Sequence, residues 1–198
     1  MATTLLASCA KSYNITGTSS VQMLDGKKLY LKSVKSTNKE NIDSCDVVHG
    51  QFKFYGTLDS IRIVNLFIDD VYVTPLVLES GDITVKIDNS QTTVSGTELN
   101  RTLDNFMKSF FRLQDMVMDV EHEQNQSIMK GYDEQETMKR LYAKLIGLSE
   151  QKDTLFTNVV TNNFKNVRTN IKNFNKKLSF IKVGVFIIFY YKFFNLML

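Results

Sequence analysis

The side chains that could carry chemistry are few, and their spacing points away from a reaction. His49 and His122 are the two histidines and lie far apart in the sequence. His49-Gly50 reads as a turn, and His122 falls inside Glu121-His122-Glu123 on a helical pattern. Neighbouring residues on a helix point in different directions, so this triplet reads as solvated surface and not as a ligand set. Neither histidine has further His, Cys, Asp or Glu at metal-ligand spacing. Asp69-Asp70, at an expected strand end, offers two carboxylates to a Ca²⁺ ion but no further oxygen ligands. Asp43 and Asp46 read as turn formers. Cys45 has no basic neighbour in its strand to lower its pKa, which argues against a redox or nucleophilic thiol. No nucleophile-elbow, P-loop or dinucleotide-binding glycine pattern occurs. The residues thus nominate no catalytic group, no metal site and no cofactor, and an enzyme is not expected from this chain alone.

The modification signal lies at the start. Leu5-Leu6-Ala7-Ser8-Cys9 resembles a bacterial lipobox, in which small residues precede a cysteine that becomes lipidated. No Lys or Arg precedes Cys9, and the apolar run is short for a signal. Residues 1–12 therefore read as a truncated signal or lipobox-like segment, with a frayed N-terminus as the alternative. A lipidated Cys9 could not pair with Cys45, which would then be a small hydrophobe on a strand.

Composition narrows the partners. The chain has 198 residues, 24 basic and 21 acidic, for a net charge of +3. Seven of the basic residues, Lys165 to Lys192, follow the last acid, Asp153. Removing them leaves 17 basic against 21 acidic residues, so residues 1–153 carry −4. A mildly acidic body without a basic stripe excludes nucleic acid as the expected partner. Two cysteines, outside any C-x-x-C pair, exclude a disulfide-rich scaffold.

The positioning elements come next, beginning with residues 13–95. Apolar side chains there alternate with a period of two in short runs. Leu29 and Leu31 face one way while Tyr30 and Lys32 face the other. Phe52 and Phe54 alternate with Lys53 and Tyr55, and Ile83, Val85 and Ile87 with Thr84 and Lys86. Turn signals separate the runs at Asp25-Gly26, His49-Gly50, Ser80-Gly81-Asp82 and Asp88-Asn89-Ser90. Asp43 to Val48 and Gln51 to Gly56 read as the arms of a hairpin turning at His49-Gly50. Ile61 to Ile68 is apolar almost throughout and predicts a central strand covered on both faces. Pro75 predicts a strand start or a sheet edge. The sum is an antiparallel β-domain, a sandwich or a strongly twisted meander.

Residues 96–165 predict an antiparallel helical pair, making the chain α+β. Ser95-Gly96-Thr97-Glu98 fits a capping box. Leu99, Leu103, Phe106, Phe110, Leu113, Val117 and Val120 follow at alternating four- and three-residue steps. Gly131 breaks the pattern, Asp133 with Glu136 caps a second helix, and Met138, Leu141, Leu145 and Leu148 resume the seam. The seam reads as core, or else as a surface awaiting a partner chain or downstream domain. Residues 166–198 are basic and Asn-rich, then apolar from Leu178 to Leu198. Three readings stay open for this tail. It could be a membrane anchor, although Lys182 and Lys192 lie inside it, a packed terminal element, or a truncated or frame-shifted continuation.

The order of these motifs supports a resemblance. Ile15-Thr16-Gly17 is followed by Asp25-Gly26-Lys27-Lys28-Leu29-Tyr30-Leu31, then by Val47-Val48-x-Gly50-x-Phe52-x-Phe54-x-Gly56. Leu78-Glu79-x-Gly81 and Val94-Ser95-Gly96-Thr97 complete the series. Across roughly residues 13–165 this resembles the N-terminal domain of unknown function of Bacteroidetes envelope lipoproteins, which usually precedes a thioredoxin-like (AhpC/TSA-type) domain. The resemblance implies a periplasmic or outer-membrane lipoprotein, with any thiol–disulfide activity in a C-terminal domain that this chain does not contain. The function expected is a non-catalytic accessory or interaction module. It would meet the membrane through Cys9 and a partner or thioredoxin-like domain through the helical pair. One alternative is a small-ligand or glycan-binding sandwich using turns such as Val71-Tyr72-Val73 and Asp88-Asn89-Ser90; another is a C-terminally tail-anchored membrane protein. No ligand-binding residue is nominated beyond these turns.

Overall fold

The computed structural model describes residues 11–34 and 41–163. Cys9 and the tail from Phe164, including Leu178 to Leu198, lie outside the described residues. The chain divides into two compact units between Thr97 and Glu98.

The first unit carries eight strands: β1 (Ser12–Ser19), β2 (Lys28–Ser33), β3 (Asn41–Asp46), β4 (Gln51–Thr57), β5 (Arg62–Ile68), β6 (Val71–Leu78), β7 (Gly81–Ile87) and β8 (Thr92–Ser95). They form two four-stranded sheets, ordered β4-β1-β7-β8 and β3-β2-β5-β6. The alternation seen in the sequence sorts side chains as expected. Ile15, Phe54, Ile83 and Val85 from one sheet join Leu29, Leu31, Leu66 and Leu76 from the other in a single buried cluster. Each of these eight is at most 2% exposed, so the inner faces of two sheets close on one core, a β-sandwich.

Two details differ from the sequence reading. The β1–β7 ladder is parallel, whereas the other five ladders among the described residues are antiparallel. Strands distant in sequence can pair in either sense, and local alternation carries no information about which. The arms around His49-Gly50 also do not form a ladder within one sheet. His49 and Gly50 both take positive φ (51° and 69°) and close Val48 onto Gln51. The chain then leaves the second sheet, because β4 pairs along its length with β1. The turn is a corner between sheets.

Two glycines of the β1–β4 ladder explain part of the motif order. Tyr13 pairs with Gly56 and Gly17 with Phe52. A Cβ on Gly17 would overlap the Phe52 ring, and one on Gly56 would overlap the Tyr13 ring and hydroxyl. Each aromatic ring lies across a strand that carries no side chain there, a reciprocal form of aromatic cover over glycine. Pro75 sits within β6, an edge strand, where its missing N–H costs no ladder bond.

The second unit is a pair of helices, α1 (Glu98–Met129) and α2 (Glu134–Asn163). Phe106 meets Phe156, the Lys152 ammonium lies 4.8 Å from the Phe110 ring centre, and buried Gln124 donates to the Met138 sulfur. Contact partners descend on α2 as they ascend on α1, so the helices are antiparallel. Leu113, Val120, Leu141 and Leu148 form their shared core, and the predicted seam is therefore helix on helix. The connection follows helix-capping chemistry. Tyr132 N–H donates to the Ser127 carbonyl across Gly131 (φ +73°), ending α1, and Asp133 accepts from Glu136 N–H, starting α2. Ser95 is not the cap expected for α1. It ends β8 opposite Thr84, and Gly96 (φ +99°) turns the chain out of the sheet. No helix among the described residues is long and apolar enough to cross a membrane.

Candidate functional site

The sequence-nominated reactive groups are held apart and given structural work. Cys45 is half-buried on β3, a free thiol pushed up to about 11 by burial, with the Asp43 and Asp46 charges acting in the same direction. At neutral pH it is a thiol and not a thiolate. Tyr13 reaches from the first sheet to the second, donating to an Asp43 carboxylate oxygen at 3.2 Å. Burial, reinforced by that carboxylate, pushes its hydroxyl up to about 12. Asp43 thus ties the two sheets together, a role beyond turn formation.

His49 is exposed at its corner, and His122 contacts only Gln126 one helical turn on. Glu123 departs from the solvated reading. Its carboxylate takes Arg140 at 2.7 Å and Lys144 at 2.6 Å from the facing helix, and hydrogen bonding to Lys144 lowers its pKa. Asp69 and Asp70 each hold a lysine, Lys27 at 3.1 Å and Lys32 at 3.3 Å. Among the described residues no group of three His, Cys, Asp or Glu is placed to hold a metal ion. Of the two turns considered for ligand binding, Val71 to Val73 opens β6 in the second sheet. Asp88 lies in the β7–β8 turn of the first sheet, where it accepts from the Ser20 hydroxyl.

Two surfaces remain that could recognise something. The first is the outer face of the second sheet. Register sets three rows across it: Ile63 with Val77, Lys32 with Asn65 and Pro75, and Tyr30 with Phe67 and Tyr72. The Lys32 ammonium lies 4.6 Å from the Phe67 ring centre and 5.1 Å from that of Tyr30, while Phe67 and Tyr72 meet edge to face. Cation–π attraction and the Asp70 carboxylate together stabilise this buried amine. Sequence alternation put Tyr30 and Lys32 on one face but could not supply Phe67 and Tyr72, which depend on pairing register and on a bulge after Leu66.

The second surface is one flank of the helical pair. Glu123, Arg140 and Lys144 fix the charged flank, which lies about 100° to one side of the seam on each helix. Phe111 and Met118 on α1, and Tyr142 and Ile146 on α2, fall by helical spacing on the opposite flank. All four are exposed, between 44% and 62%. Scattered exposed apolar residues are ordinary, but four on one flank of a 2-helix unit form a patch of the kind that meets partners.

Fold and site together define a non-enzymatic-looking class: a β-sandwich that leads directly into a helical hairpin, with recognition surfaces in place of a reactive centre. Residues 13–103 match the family model described as Domain of unknown function (DUF4369). The match spans all eight strands and the first turn of α1, and it agrees with the resemblance to an N-terminal domain of unknown function. No curated protein matches the sequence.

Proposed function

We propose that the chain is the non-catalytic accessory module of a bacterial cell-envelope lipoprotein. A lipid on Cys9 tethers it to the membrane, and the helical pair holds a protein partner, in the first instance a thioredoxin-like redox domain. The observation that carries this reading is the exposed apolar flank of Phe111, Met118, Tyr142 and Ile146, opposite a flank saturated by ion pairs. The lipobox-like Leu6-Ala7-Ser8-Cys9 and the family match support the envelope location and the module's place ahead of another domain. Mass spectrometry of membrane-fraction protein made from the full-length gene tests the tether. Cys9 carrying a diacylglyceryl group is expected, and unmodified Cys9 contradicts it.

A second reading, a small-ligand or glycan-binding sandwich, draws support from the row Tyr30, Phe67 and Tyr72. There Tyr72 is 40% exposed and Asp70 sits at the rim of the aromatic surface. Saccharide titration monitored by tyrosine fluorescence tests it, and a Tyr72→Ala variant should abolish any response.

A further inference from the structure

We propose that the apolar segment Leu178 to Leu198 packs on the outer face of the second sheet, so that this sheet is sandwiched from both sides. Ile63 and Val77 face each other in register and are only 3% and 0% exposed, yet they stand outside the cluster between the sheets. Their neighbours Val64, Leu76 and Leu78 fill that inner cluster, so alternation directs Ile63 and Val77 to the outer side. The adjacent row carries Lys32 and Asn65, 6% and 5% exposed. An outer face open to water does not bury a lysine, an asparagine and two β-branched residues in adjoining rows. A strand buried on both sides reads as the near-continuous apolar run found from Ile61 to Ile68.

The α1–α2 seam cannot supply the cover, because its apolar residues are spent on each other. Leu178 to Leu198 has the right chemistry. It is rich in Phe, Ile and Val, the side chains that pack on a pleated surface. Lys182 and Lys192 within it are costly in a bilayer but can reach water from a sheet surface along their apolar stems.

The test uses Val77→Cys in a Cys9→Ser, Cys45→Ala background, with maleimide labelling rates as the readout and Leu31→Cys as the inner-core control. In the full chain both thiols should be protected. With a stop after Lys165, Val77→Cys should label at least about tenfold faster while Leu31→Cys stays protected. Equal Val77→Cys rates in the two chains, with Leu31→Cys protected in both, would overturn the proposal. Should shortening expose Leu31→Cys as well, the full chain carrying Phe186→Asp and Ile188→Asp decides. Faster labelling of Val77→Cys with Leu31→Cys protected supports the packing, and an unchanged rate overturns it.

Discussion

At the scale of single residues, the notable groups act as ties rather than as reagents. Tyr13 bonds Asp43 across the sandwich, Asp70 holds Lys32, and Cys45 stays protonated in the edge of the core. The thiol makes a signed prediction. Its folded pKa, about 11, lies above the ordinary value of 9.0, so the folded state holds the proton more tightly than the unfolded one. The stability linked to Cys45 is therefore complete below pH 9 and lost as pH rises through 11. Urea midpoints measured from pH 8 to 11 should fall with pH, and a Cys45→Ala variant should show a shallower fall. Gly17 gives a second prediction. An added methyl would press on the Phe52 ring, so Gly17→Ala should cost about 1–3 kcal/mol in urea unfolding, with Phe52→Leu in the same chain recovering part of the loss. Glycine and phenylalanine are both visible in the sequence here, but their partnership is not, because it depends on the register of strands more than thirty residues apart. Glu123 was obscured for a similar reason: its lysine and arginine lie on the next helix.

At the scale of elements, period and capping chemistry were the legible part. The period-two runs became strands with the expected faces, and Asp133 caps α2 as its spacing with Glu136 suggested. Pairing sense was not legible, hence the parallel β1–β7 ladder. The boundary at Ser95 was misread because a serine followed three residues later by glutamate suits a cap and a strand end equally well. Gly96, packed against the Asp82 backbone, decides for the strand. The helical pair should depend on its own seam. Leu141 is 1% exposed at its centre, and Leu141→Ala should destabilise the pair by about 2–5 kcal/mol, read as lost helical circular dichroism on heating. Asp133→Ala should cost about 1 kcal/mol by the same measurement, since only the cap is lost.

At the scale of the whole molecule, a sandwich and a helical hairpin lie side by side in the chain, and neither brings reactive groups together. The family match covers the sandwich and stops just inside α1, so the helical pair is the part that would adapt the module to its own partner. Its charged flank is internally satisfied, while its apolar flank stays exposed to solvent. Calorimetric titration of the chain with a purified thioredoxin-like envelope domain tests this account most directly. Saturable binding is predicted, weakened at least about tenfold by Phe111→Asp with Ile146→Asp and unaffected by Tyr72→Ala, because centrally placed apolar anchors carry most of such binding energy. Binding that survives the double substitution, or none by the unaltered chain, would contradict it.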